Sequence, residues 1–255
     1  MITREMLEER PLSFSSLKEF AKSPKHYMDY ISRPKTPPTD AMKLGSAVHC
    51  MILTPELFND QFSVAPEINK RTNAGKEEWA LFASQNEGKD ILSNDDYEHA
   101  RRLSDGVLAN PYVRNLLNHC YAFEEEWGAE INDLPFKGFY DAVADDYVIE
   151  IKTISDGNPK SVMSDFYKRK YHMQAALYST ASLGKDVYYI VVETSAPYIN
   201  YVALADKSYI EKGAQDFGYY SRKFMNCMYS NKWNEGYDFY HEDGVIIKLP
   251  WDVNN

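Results

Sequence analysis

The chain has 255 residues, 44% of them hydrophobic and 26% charged, a balance that supports a packed core and excludes a disordered chain. A formal net charge of −10 argues against a uniformly basic nucleic-acid binder, and no run of about 18 apolar residues marks a membrane span. The charged start MITREMLEER lacks the apolar stretch of a secretory signal, so a cytoplasmic location is expected.

Phe14, Leu17, Phe20 and Ala21 follow a Ser-rich entry at helical spacing, and Pro24 reads as the stop. The Pro-rich stretch RPKTPPTD is a loop. A second helix is expected over Ala41–Leu53, closed by Thr54-Pro55. Two more follow, over Lys76–Gln85 and over Asn94–Leu108 with Ser93 or Asn94 as cap. Residues 1–115 thus read as mainly helical. Near residue 120 the pattern changes. YAFEEEWGAEI, LPFKGFYDAVA and YVIEIKTI are joined by the polar pairs Asn132-Asp133 and Asp145-Asp146, which predicts an antiparallel meander. One long helix over Lys160–Ser182, two strands in VYYIVVET and YINYVALA, and a helix in DKSYIEKGAQDFGYYSRKFMNCMYS complete the order. The expected fold is α/β, a mixed central sheet flanked by helices with a helical N-terminal region. The sheet-bearing core falls in 116–232 and a tail in 233–255, all within one structural domain.

Cys50, Cys120 and Cys227 are too far apart for a disulfide framework or a zinc ribbon, and fewer than an iron–sulfur cluster usually requires. Buried free thiols are expected. The charge is unevenly spread. Lys18 to Lys43 holds six Lys/Arg against three Asp/Glu, and Lys160, Lys168, Arg169 and Lys170 face Asp165 alone. Acidic residues gather at Glu124-Glu125-Glu126, at Asp145-Asp146 and from Glu235 to Asp243.

The chemistry is concentrated between Asp141 and Lys152. On an extended strand Glu150 and Lys152 share a face with Val148, while Ile149 and Ile151 point the other way into apolar surroundings. Asp141 ends the preceding strand and can reach the same end of the sheet. Charged groups among Val and Ile are costly unless compensated. A divalent metal would compensate the two carboxylates, and Lys152 would hold a water or stabilise a pentavalent phosphate. A surface salt bridge on an edge strand explains the same residues.

Gly138-Phe139-Tyr140-Asp141 followed by Glu150-Ile151-Lys152-Thr153 resembles the signature of the PD-(D/E)xK nuclease superfamily. Gln174 and Tyr178 match the Gln-x-x-x-Tyr element of its RecB-like exonuclease branch, and Gly45 and His49 match that branch's Gly-x-x-x-His element. The three elements stand in the family order, across roughly residues 12 to 230. Within the branch the chain is similar to the C-terminal nuclease domains of the RecE family and related phage exonucleases. The resemblance implies a restriction-endonuclease-like core in 116–232. It makes His49, Asp141, Glu150 and the Ile151 carbonyl metal ligands, and Asp141, Glu150, Lys152 and Gln174 the catalytic set. Hard oxygen donors suit Mg²⁺, with Mn²⁺ as substitute. Gly45 would allow the His49 helix to pack closely against a strand.

Gln174 and Tyr178 lie four apart on one helix face. The resemblance places them at the active site, Gln174 supporting Lys152 or the scissile phosphate and Tyr178 among the DNA-binding residues; a core Tyr178 beside a solvated Gln174 is the plainer alternative. Lys160, Lys168, Arg169, Lys170 and Arg71 would contact backbone phosphate, or form an ordinary solvated face. Glu124 is a further carboxylate near the site, not separable from Glu125 and Glu126. Glu150 stands where many relatives have Asp, and Lys137-Gly-Phe-Tyr-Asp141 lacks an arginine that RecE-like relatives often carry. Ser23-Pro24 stands where cluster-bearing relatives have Cys-Pro, so no iron–sulfur cluster is expected.

What the resemblance implies is a 5′→3′ double-strand DNA exonuclease of phage recombination type, in a bacterial host. Its expected partners are double-stranded DNA ends, a RecT-like single-strand annealing protein and copies of itself in a homo-oligomeric ring, with no membrane. An endonuclease or repair nuclease with the same centre is the near alternative. A catalytically inactive acidic interaction protein on the same fold is the distant one.

Overall fold

The computed structural model describes residues 2–34 and 36–237; of the expected tail, 238–255 lie outside the described residues. Three helices open the chain, α1 (Arg4–Glu9), α2 (Phe14–Phe20) and α3 (Pro24–Ser32). Pro24 is therefore a start and not a stop. Ser23 caps α3 by accepting the His26 amide at 3.2 Å, and Pro24 at the first position gives up an N–H that would have had no helical partner.

Next come α4 (Asp40–Leu53), a 3₁₀ turn (Pro55–Leu57), α5 (Phe58–Gln61), β1 (Phe62–Val64) and α6 (Asn73–Gln85). They are followed by β2 (Asp90–Leu92), α7 (Asn94–Ala109) and α8 (Pro111–Asn118). Ser93 is the α7 cap, accepting the Asp96 amide at 3.0 Å. β1 and β2 pair in parallel, Phe62 with Asp90; at three residues each they are too short to show alternation.

The second half holds β3 (Ala122–Ile131), β4 (Leu134–Val143), β5 (Tyr147–Ile154), α9 (Pro159–Lys168) and α10 (Tyr171–Ala181). It ends with β6 (Asp186–Glu193), β7 (Asn200–Leu204) and α11 (Lys207–Ser230). Five strands form one sheet in the order β3-β4-β5-β6-β7. β5 is antiparallel to β4 and parallel to β6, and β7 is antiparallel to β6, so the sheet is mixed as expected. The expected single helix over Lys160–Ser182 is two. Lys170 adopts a left-handed φ of 60°, and its carbonyl accepts the Met173 amide at 2.9 Å, which starts α10 on a new course. The polar triplet Lys168-Arg169-Lys170 carries no Gly or Pro to mark that corner.

Contacts group the described residues into two units. The larger draws on 36–127 and 138–214, the smaller on the remainder. In the smaller unit Phe20, Tyr27, Phe224 and Trp233 meet largely edge to face, with Phe20 and Phe224 centroids 4.9 Å apart, and Leu12 bridges to Phe136. In the larger unit α4, α7 and α8 bury Val48, Leu53, Val107 and Val113 with Ile149, Ile151 and Ile190 of the sheet. That cluster takes the odd-numbered face of β5, which leaves Glu150 and Lys152 on the opposite face. Cys50 is buried and Cys120 half-buried, both free thiols, and Cys227 is buried.

Candidate active site

All the residues singled out by sequence for chemistry lie in the larger unit. β4 and β5 pair through Ala142–Ile149 and Val143–Val148, and one residue further along each strand stand Asp141 and Glu150. Both are buried, at 8% and 3% exposure. Asp141 Oδ2 accepts the Ile151 amide at 2.6 Å and lies 3.4 Å from His49 Nδ1. α4 delivers His49, and it can do so because it lies close on β5. A Cβ at Gly45 would come within 3.2 Å of Thr153 Oγ1, the tight helix–strand approach expected of that glycine.

Glu124 completes the group. Ligand atoms of His49, Glu124 and Asp141 all lie within 4.8 Å of one another, a cluster of the kind that holds a metal ion. Within β3, Glu124 has a left-handed φ of 49°, a costly conformation for a residue with a Cβ. Such a kink breaks the alternation of a strand and re-aims one side chain. Three adjacent glutamates look alike in the sequence, so that local geometry was illegible there. A cavity of about 360 Å³ opens beside these donors, walled by Ser46, Cys50, Gln61 and Glu124 among others.

Glu150 is engaged differently. Its Oε2 accepts a hydrogen bond from Lys152 Nζ, and it stands outside the His49–Glu124–Asp141 cluster. α10 covers this face of the sheet, where Tyr189 pairs with Glu150 across β5 and β6 and donates its hydroxyl to the Tyr171 carbonyl at 2.9 Å. Gln174 is buried at 5% exposure, not solvated, and its Oε1 has no hydrogen-bond partner among the described residues. Tyr178 packs edge-on against Trp127 and Tyr140, with its hydroxyl toward Glu150 and Gln174. The sequence reading passed over Tyr171, whose ring centroid lies 4.7 Å from Lys152 Nζ. The signal was present, since 171, 174 and 178 follow i, i+3, i+7 on one helix face.

The electrostatics are those of crowded carboxylates. Burial, with the charge of Asp141, pushes Glu150 up to about 7 against the pull of Lys152 and His49. Burial and Asp141 likewise raise Glu124. Burial acts to raise Asp141 too, but the charge and hydrogen bond of His49, with Lys152 and the Ile151 amide, hold it below the ordinary value. His49 and Lys152 are raised despite burial, by Asp141 and by Glu150 respectively. His49, Glu124 and Asp141 form a donor set of the kind that holds a metal ion, whose charge would relieve the repulsion between the carboxylates.

The remaining expected residues spread over the surface. Lys160, Lys168 and Arg169 are exposed, and Lys170 is half-buried in the α9–α10 corner. Arg169 pairs with Asp165 at 2.5 Å and lines a 560 Å³ cavity with Thr153 and Ile154, which continue β5 past Lys152. Arg71 is exposed in the loop before α6, with its amide bonded to Asn69 Oδ1. Ile151 presents its amide to Asp141 and stands opposite Ile190 in the β5–β6 pairing. No helix among the described residues is long and apolar enough to cross a membrane.

The fold matches that of a candidate exonuclease from Eubacterium rectale with a TM-score of 0.64 at 11% identity, over 98% of this chain and 96% of that one. More distant likenesses are LHK-Exo in complex with dAMP (TM-score 0.34, 12% identity, 73% of this chain and 90% of that one). A phage-related exonuclease from Haemophilus somnus 129PT gives 0.32 at 11% identity, over 80% and 99%. No curated protein matches the sequence. Over residues 13–236, and thus across the strand-borne carboxylates, His49 and α10, the chain matches the model of the PDDEXK-like domain of unknown function DUF3799, and it belongs to that family.

Proposed function

We propose that the protein is a metal-dependent DNA exonuclease. The observation that carries the reading is the convergence of His49, Glu124 and Asp141 within 4.8 Å, beside the buried Glu150–Lys152 pair, on a PDDEXK-like fold. His49, Glu124 and Asp141 would hold the cation, with Glu150 and the Ile151 carbonyl joining as ligands; Mg²⁺ fits these hard donors and Mn²⁺ would replace it. The ion supplies activation of water and neutralisation of charge on a phosphodiester.

The chain's own groups supply the alignment. Lys152 donates from Nζ to the water or to the phosphoryl oxygens, and so places the nucleophile in line with the bond that breaks. Gln174 and Tyr178 orient Glu150 from beneath; for the buried Tyr178 this role suits its position better than direct contact with DNA. His49 is held by Asp141 in the ring orientation that a ligand needs. Arg169, Lys168, Lys170 and Lys160, with Arg71 further off, would contact backbone phosphate.

The resemblance to RecB-like and RecE-like enzymes adds finer terms to the proposal. These are 5′→3′ resection from double-strand ends, 3′ overhangs for a RecT-like annealing partner, work in the bacterial cytoplasm, and assembly into a ring. A ring reconciles an acidic chain with DNA by turning its basic residues inward. The Eubacterium rectale protein of the same fold carries an exonuclease designation, which agrees with this reading.

Linear and covalently closed duplexes of equal length, each incubated with Mg²⁺ or with EDTA, test it. The linear duplex is expected to disappear from its ends in Mg²⁺ alone while the circle persists. Equal cutting of the circle would instead assign an endonuclease.

A further inference from the structure

Lys152 needs an anchor that outlasts its bond to Glu150. The two residues share one face of β5 two positions apart, so their side chains meet and bond. A carboxylate that turns toward a cation releases that ammonium, and a four-carbon stem then has many positions to occupy.

α10 supplies a second hold. The Tyr171 ring centroid lies 4.7 Å from Lys152 Nζ, inside the roughly 6 Å reach over which a cation is attracted to an aromatic face. The residue is itself fixed at both backbone and ring. The Tyr171 carbonyl accepts the Tyr189 hydroxyl at 2.9 Å, and Phe166 packs edge-on with centroids 5.1 Å apart. Its hydroxyl shares a hydrogen bond with Arg169, which Asp165 holds in turn. A ring held by Phe166 and Arg169, on a backbone that Tyr189 anchors, does not depend on Glu150. It remains in place whichever way that carboxylate is turned.

We propose that Tyr171 is a positioning residue, holding the Lys152 ammonium by its ring face at the place from which Lys152 acts. The task of Lys152 rests on the nuclease reading given above; the contact itself does not.

Two measurements separate them. Lysine labelled with ¹³C at the ε carbon reports the contact in metal-free protein without DNA. The ring current is expected to move the Lys152 ε-methylene protons upfield in the wild type and in Tyr171→Phe, and the shift should vanish in Tyr171→Leu. Single-turnover cleavage of a linear duplex in Mg²⁺ is then followed with phenylalanine at position 171 bearing zero to three ring fluorines. Shape is nearly kept along this series while the ring quadrupole weakens. The rate is expected to fall stepwise, roughly 10-fold in all, with half-saturating DNA concentration and Tm unchanged.

A wild-type ε resonance without the shift would overturn the contact. A shifted resonance with a flat fluorination series, in a chain that cuts DNA, would overturn the positioning role and leave the nuclease reading intact. A wild type that leaves DNA whole in Mg²⁺ would remove the nuclease reading, and the role of Tyr171 with it.

Discussion

Asp141→Asn is expected to lower Mg²⁺-dependent DNA hydrolysis by about 10³-fold or more and to abolish the stabilisation that metal gives the wild type. The expectation follows from what meets at one carboxylate. Asp141 accepts the Ile151 amide, faces His49 Nδ1 and shares the donor cluster with Glu124. Asn keeps an oxygen for the Ile151 amide, so the strand geometry has no reason to change. It removes the charge on which a hard divalent ion depends. Metal at 100 times its dissociation constant stabilises a folded protein by about 2.7 kcal/mol. For a chain of this size that is a Tm rise of roughly 5–10 °C. Differential scanning with and without Mn²⁺ reads it directly. A Tm rise as large in Asp141→Asn as in the wild type would place the ion elsewhere.

Gly213→Ala is the substitution outside the site with the largest expected effect. A Cβ at Gly213 of α11 would come within 1.9 Å of the His172 carbonyl oxygen of α10 and 3.0 Å of the Ala176 Cβ. The obstacle is backbone, which cannot rotate aside, so α11 must move off α10. Overpacking costs typically 1–3 kcal/mol and more where the backbone itself blocks. About 3 kcal/mol is expected here, a Tm loss of roughly 6–12 °C on thermal unfolding. The opposite face of α10 bears Tyr171, Gln174 and Tyr178, so a displaced α10 should lower activity along with stability. An unchanged Tm would show that α11 does not lie so close.

The fold was legible where side-chain pattern alone determines structure. Alternation in YVIEIKTI set Ile149 and Ile151 in the apolar core and Glu150 and Lys152 on the other face, as the cluster around Val48 and Ile190 bears out. The order of helices and strands gave the mixed sheet, and Gly45 gave the close approach of α4 to β5. It was illegible where backbone conformation decides. Lys170 breaks one helix into two by a left-handed turn that needs no glycine, and Pro24 opens a helix because Ser23 caps it. Two strands of three residues are too short to carry a period. The candidate site divides along the same line. Strand alternation put Glu150 and Lys152 on one face with Asp141 at the same end of the sheet, while His49 and Gln174 entered the candidate site through the family resemblance. Glu124 was named as a further carboxylate but could not be separated from Glu125 and Glu126, because its own left-handed φ within β3 aims it. Tyr171 follows the same helical spacing as Gln174 and was overlooked; its partner is an ammonium across the α10–β5 packing, a pairing that no local pattern announces.

Lys152→Met tests the central claim most directly, because it keeps the stem of the side chain and deletes its charge. Purified wild type and variant are matched for Tm, then mixed in excess with a 5′-labelled linear duplex in Mg²⁺, and the rate of label loss is read over a single turnover. The wild type should release label only in Mg²⁺, with EDTA stopping it, and Lys152→Met should be slower by about 10²-fold or more. Equal rates for the two proteins, or an intact duplex with the wild type, would contradict a nuclease centred on Asp141, Glu150 and Lys152.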